Sequence, residues 1–152
     1  MATMASRLMD AADLLIQEGG NSSAFRWRAV STAYYAVFHA LAKHCADVLL
    51  QPIKRNSYDY ERVYRALEHG TLKSAFSKHG SKKIRDIGDL IVALQIERHR
   101  ADYLPPIRNV FSLGKAKQLV DQARQAITEI ESMSREDRRT LATLLLFKSR
   151  PQ

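Results

Sequence analysis

The stretch Ile84-Arg85-Asp86-Ile87-Gly88-Asp89-Leu90-Ile91-Val92-Ala93-Leu94-Gln95-Ile96-Glu97-Arg98-His99-Arg100-Ala101-Asp102-Tyr103 decides the fold class. Ile84, Ile87, Ile91 and Leu94 recur at alternating steps of three and four, which keeps them on one face of an α-helix. The next positions in the series are Arg98 and Ala101. A guanidinium therefore stands where the pattern asks for an apolar residue. That placement is costly unless a charge or hydrogen-bond partner meets it. Asp102, four residues on, is one candidate partner. The pair is either a structural ion pair closing the seam or the start of a site.

Helical periodicity continues on both sides. A first helix is expected over roughly residues 2–18, with Met4, Leu8, Ala12 and Leu15 on one face, ended by Gly19-Gly20. A second is expected over roughly 22–50. It has two apolar stripes: Trp27, Val30, Tyr34, Val37, Leu41, His44 and Val48, then Tyr35, Phe38, Ala42, Cys45 and Leu49. Two stripes mark a helix buried on more than one side. Its narrow polar stripe is Arg28, Thr32, His39, Lys43 and Asp47, and Pro52 ends it. A shorter helical region from about Asp59 to Lys78 is expected to break near Gly70. The helix of the opening stretch runs from about Ser81 to Tyr103, stopped by Pro105-Pro106. Another starts after Ser112 with the seam Leu113, Ala116, Val120, Ala123, Ile127 and Ile130. Ser134 with Asp137 reads as a capping box for a last helix carrying Leu141, Leu144, Leu145 and Phe147. That helix could pack on the bundle, join a dimer interface or lie on a membrane surface.

No segment alternates with the period of a strand. The expected architecture is all-α: a four-helix up-down bundle over about 2–133, plus an extra C-terminal helix over about 135–148, in one domain spanning 1–152. The single cysteine, Cys45, excludes an internal disulfide and suits a reducing cytoplasm. No apolar run reaches the roughly 18 residues of a membrane span, and early charges at Arg7 and Asp10 speak against a signal peptide. Net charge is +8, concentrated in residues 54–108, where twelve basic side chains face seven acidic. From His69 to Arg85 there is no acidic residue, but there are Lys73, Lys78, His79, Lys82, Lys83 and Arg85. With Arg100 these form a candidate nucleic-acid surface; a solvated basic face is the alternative.

Three strings occur in order: Ser31-Thr32-Ala33-Tyr34-Tyr35-Ala36-Val37-Phe38-His39-Ala40, then Glu68-His69-Gly70-Thr71-Leu72 followed by Phe76, then Arg98 to Tyr103. Together they resemble the HEPN superfamily of prokaryotic all-α proteins, in the branch with an "AYYAxFHA" core helix and a terminal "RxxxDY" string. The resemblance runs from about Ser22 to Pro106. It implies a helical bundle that dimerises, and a place in a toxin–antitoxin or defence module. Some HEPN proteins are metal-independent endoribonucleases. Others bind RNA or nucleotides, or accompany a minimal nucleotidyltransferase as non-catalytic partners. In the ribonucleases an arginine holds phosphate, and a histidine one to two turns further along does acid–base chemistry.

This chain departs from that pattern. Its last histidine is His99, so none follows Arg98 or Arg100 at the family's spacing, and Asp102 stands near the expected place. The one pair with the right spacing, Arg62 and His69, lies outside the matching string. The candidates are Arg98 as phosphate clamp, Asp102 as its orienting carboxylate, and His69 or His99 as proton carrier. Tyr103 is a candidate for modification or a buried aromatic. His44 reads as a core histidine, and the Tyr34-Tyr35 pair as core packing. No metal-ligand spacing, phosphate-binding glycine loop or nucleophile elbow is present, so no cofactor is expected. The leading expectation is an RNA- or nucleotide-binding HEPN protein; an active ribonuclease and a pure interaction module are the alternatives.

Overall fold

The computed structural model describes residues 2–19, 21–51, 56–77, 81–105 and 111–147. Helices α1 (Met4–Gly19), α2 (Ser23–Leu50), α3 (Tyr58–Tyr64), α4 (Leu72–Ser77), α5 (Lys82–Tyr103), α6 (Leu113–Glu131) and α7 (Arg135–Leu146) follow in order, with a 3₁₀ turn at His69–Thr71 before α4. No strand occurs among the described residues. The chain is all-helical.

α2 is the hub, packing against α1, α3, α5, α6 and α7. Its buried surface is rich in alanine (Ala29, Ala33, Ala36, Ala40, Ala42 and Ala46). Small side chains let neighbouring helices approach closely, which suits a helix that must take partners on several sides. α1 is its most extensive neighbour. The buried face of α1 is Ala5, Met9 and Ala12, one step round from the expected Met4 stripe, and Met4 itself is exposed. The α1 face that includes Ala5 and Ala12 is turned inward, and the bulkier Leu8, Leu15 and Ile16 flank it half-buried.

In α5 the expected seam is realised: Ile84, Ile87, Ile91 and Leu94 are fully buried. Each such side chain stabilises the fold by roughly 1.5–3 kcal/mol relative to exposure. Gly88 lies beside this seam, and Phe76 of α4 fills the space that a side chain would take. α5 runs antiparallel to α2, since Asp102 lies by Arg28 while Arg98, a turn earlier, lies over Tyr34. The start of α6 is tied to α2 by Arg26 Nε, which donates to the Phe111 carbonyl at 2.9 Å.

The polar stripe of α2 is less exposed than the sequence suggests. Asp47 is buried, accepting from the Tyr60 hydroxyl at 2.9 Å and from Lys43 Nζ at 2.8 Å. Two turns back from Asp47 on α2 and one turn on from Tyr60 on α3, His39 Nδ1 shares a short hydrogen bond with the Tyr64 hydroxyl. Positions 39, 43 and 47 share one face of α2, as 60 and 64 do on α3, so the stripe is the seat of α3. Ser57 caps α3 through Tyr60 N.

Of the three places open to the C-terminal helix, the structure shows the first. α7 packs on α2, α4 and α5 through Leu141, Ala142 and Leu145. Ser134 Oγ accepts from Asp137 N at 3.1 Å, the expected cap. No helix among the described residues is long and apolar enough to cross a membrane.

Candidate functional site

Arg98 does point inward. Its side chain is only 12 % exposed. The guanidinium carbon sits 5.0 Å from the ring centre of Tyr34 and 5.8 Å from that of Tyr35, so the aromatic pair of α2 forms its floor. Cation–π contact of this kind stabilises a desolvated guanidinium by about 0.5–2 kcal/mol. The counter-charge is Asp102, whose carboxylate oxygen lies 3.7 Å from a guanidinium nitrogen. Its other oxygen faces exposed Arg28 at 3.9 Å. These distances are ion-pair contacts, too long for hydrogen bonds. Arg98 Nε is buried and has no hydrogen-bond partner. Arg98 is thus held by charge and ring faces, while its hydrogen-bonding capacity is not used up.

His69 completes the centre from the 3₁₀ turn. Its Nδ1 and the Tyr34 hydroxyl are 2.7 Å apart. Its ring stacks on Phe38 at 3.8 Å between centroids and meets Tyr35 edge-on. Its backbone carbonyl accepts from Gln95 Nε2 of α5 at 2.7 Å. Four contacts therefore hold His69: one hydrogen bond, one stacked ring face, one ring edge and one backbone anchor. Burial holds its pKa below 6.5, helped by the Arg98 charge and by His39, so it is neutral at pH 7. Burial pushes the Tyr34 hydroxyl up to about 12, although the charge of Arg98 pulls it the other way. At neutral pH Tyr34 keeps its proton.

Arg98, Asp102 and His69 are thus brought together, joined through Tyr34. His99 is exposed, and its ring lies 4.8 Å from that of Tyr103 one turn on. Tyr103 is 67 % exposed, which corrects the reading of it as a buried aromatic. Arg100 is exposed and pairs with Glu97 at 3.3 Å. Arg62 lies over the Tyr58 ring, so the cation that bears on His69 is Arg98. Lys73, Lys82 and Arg85 line one depression together with Asp86 and Asp89, and Lys82 is paired with Asp86 at 3.1 Å. Lys83 is exposed on α5, and Lys78 and His79 lie outside the described residues.

Tyr34, Phe38 and Gln95 belong to this centre, and sequence reasoning did not assign them to it. Tyr34 is fully buried, as core packing requires, but a buried tyrosine hydroxyl demands a partner, and that demand was the available signal. No three His, Cys, Asp or Glu side chains converge to hold a metal ion among the described residues. The chain matches no protein-family model, no curated protein and no solved structure.

Proposed function

We propose that the chain is a HEPN-type four-helix bundle with an added C-terminal helix, and that its Arg98–Tyr34–His69 centre binds a phosphate group of RNA or of a nucleotide. The carrying observation is a buried arginine whose charge is only loosely paired, beside a histidine held rigidly in place. A guanidinium takes phosphate oxygens in bidentate fashion. His69 Nε2, on the far side of the ring from Tyr34, supplies a second contact. Asp102 keeps Arg98 in register. The basic residues Lys73, Lys82, Lys83, Arg85 and Arg100 would add phosphate contacts beyond the centre. A homodimer, a cytoplasmic toxin–antitoxin or defence setting and a nucleotidyltransferase partner follow from the same reading.

Binding of a labelled oligoribonucleotide to the full chain across a salt series tests this. Affinity should fall steeply as salt rises. Losing one charge-assisted contact of about 1.5–3 kcal/mol should make Arg98→Ala bind about 10- to 150-fold more weakly. Salt-independent binding, or an Arg98→Ala protein that folds and binds normally, would overturn the reading.

One observation favours a second reading, a metal-independent endoribonuclease: His69 is neutral at pH 7 and lies within the field of Arg98. In that chemistry the 2′-oxygen bonds to phosphorus while the bond to the 5′-oxygen breaks. His69 takes the 2′-hydroxyl proton, water protonates the leaving oxygen, and Arg98 stabilises the phosphorane. RNA left intact by the purified protein in EDTA excludes it.

A further inference from the structure

We propose a second phosphate-binding site, independent of Arg98, in the cavity between the C-terminal end of α2 and the first turns of α7, with Arg135, Arg138 and Arg139 as its ligands. The ligand class is a compact phosphate group with little attached to it, such as the diphosphate of a nucleotide or the phosphorylated end of an RNA strand.

The cavity has a volume of about 350 Å³ and is lined by the three arginines with Asp47, Gln51 and Met133 among its other walls. Steps of three and one place residues 135, 138 and 139 on one side of α7. Leu141, Ala142 and Leu145 dock the helix and hold that side at the cavity. Three guanidiniums sharing one small cavity repel each other unless an anion lies between them. No carboxylate lies within ion-pair distance of any of the three among the described residues, and Arg138 Nε is buried with no hydrogen-bond partner. Asp47, the acidic wall, already receives Lys43 on one oxygen and Tyr60 on the other. Glu136 and Asp137 occupy the same turn of α7 but do not line the cavity.

His44 is buried beneath α7, with Nε2 hydrogen-bonded to the Arg138 carbonyl at 3.1 Å. Burial, more than any other influence, holds it neutral. His44 therefore anchors the backbone of Arg138 without adding to the positive charge. The outcome is a preformed, cationic, half-enclosed cavity, which is the arrangement that planar bidentate recognition of phosphate needs.

Calorimetric titration of the full chain with inorganic pyrophosphate at low salt tests the site. Binding should persist in Arg98→Ala, which separates this site from the one proposed above. It should weaken at least tenfold in the double variant Arg135→Ala/Arg139→Ala, whose two side chains are exposed and whose loss leaves the packing of α7 intact. Absence of binding at millimolar pyrophosphate overturns the proposal, and so does equal binding in the double variant. ADP and a 5′-phosphorylated oligoribonucleotide, against its 5′-hydroxyl form, then assign the source. Competition with pyrophosphate by ADP points to a free nucleotide, and competition by the phosphorylated oligomer alone points to an RNA end. Failure of both to compete overturns the ligand class.

Discussion

The Tyr34 hydroxyl and His69 Nδ1 meet at 2.7 Å across two elements that are 35 residues apart in sequence. This bond decides which nitrogen of His69 carries the proton. The buried Tyr34 hydroxyl keeps its proton, and Nδ1 is the acceptor it meets among the described residues, so the hydroxyl hydrogen points at Nδ1. His69 should then be the Nε2–H tautomer, which in the phosphate-binding function we propose presents a donor to a phosphate oxygen. Nitrogen chemical shifts of the imidazole at neutral pH read this directly. Tyr34→Phe should release the preference and weaken RNA binding by about 2- to 13-fold, as for one neutral hydrogen bond of about 0.5–1.5 kcal/mol. A wild-type Nδ1–H tautomer would sink this assignment and leave Nε2 free as a base, the state that RNA cleavage requires.

Three histidines should make the fold acid-sensitive. His39, His44 and His69 are all held below their ordinary value of 6.5, each chiefly by burial. In the unfolded chain they take up protons as the pH drops through 6.5, while the folded chain resists. The unfolded state therefore binds more protons in that window, and stability rises with pH across it. The contribution is fully present above 6.5 and is lost as pH falls through the depressed folded values. Melting temperature should hold level from about pH 8 to 7 and decline below about 6.5. Replacing Arg98 with alanine should raise the pKa of His69 in the folded protein, because one of its depressing charges is gone. A melting temperature that climbs on acidification would contradict the assignment.

The seat of α3 on α2 gives a stability test away from the centre. Tyr60→Phe removes the donor to Asp47 while leaving the carboxylate buried beside Lys43. Losing one hydrogen bond to a buried charged group costs about 1.5–3 kcal/mol. In a chain of this size that lowers the melting temperature by several degrees. Denaturant unfolding should show a lower midpoint with an unchanged slope, since the surface exposed on unfolding is the same. No change in midpoint would mean that Asp47 is satisfied without Tyr60.

How far the sequence was legible depended on whether the deciding contact was local. The seam of α5 repeats every three to four residues, so Ile84, Ile87, Ile91 and Leu94 announced the helix and the inward turn of Arg98. The partnership of Arg98 with Asp102 is also local, one turn apart. The meeting of His69 with Tyr34 and Gln95 is tertiary, and no spacing within one helix encodes it. Asp47 was misplaced for the same reason. On α2 alone it extends a polar stripe, and only the docking of Tyr60 buries it. The one-step rotation of α1 has a similar origin, because its inward face is chosen by packing on α2.

Gly88 offers the sharpest link between packing and the centre. In an ordinary helix interior Gly→Ala stabilises by about 0.5–1 kcal/mol. Here an added Cβ would lie 2.6 Å from the Phe76 ring and 2.7 Å from its Cβ. Those atoms belong to a buried side chain, so α4 must shift to admit the methyl group. Overpacking of this kind costs about 1–3 kcal/mol, which reverses the sign of the propensity gain. The shift is transmitted, because α4 continues directly from the 3₁₀ turn that carries His69. Gly88→Ala should therefore lower stability and also move the imidazole resonances of His69, although Gly88 is more than two turns of α5 away from Arg98. Phe76→Ala alone opens a cavity and should cost about 3–5 kcal/mol. Combined with Gly88→Ala it should cost less than the sum of the two, since each relieves the other, and a double-mutant cycle measures that coupling. Strict additivity would show that the two helices do not meet at this glycine.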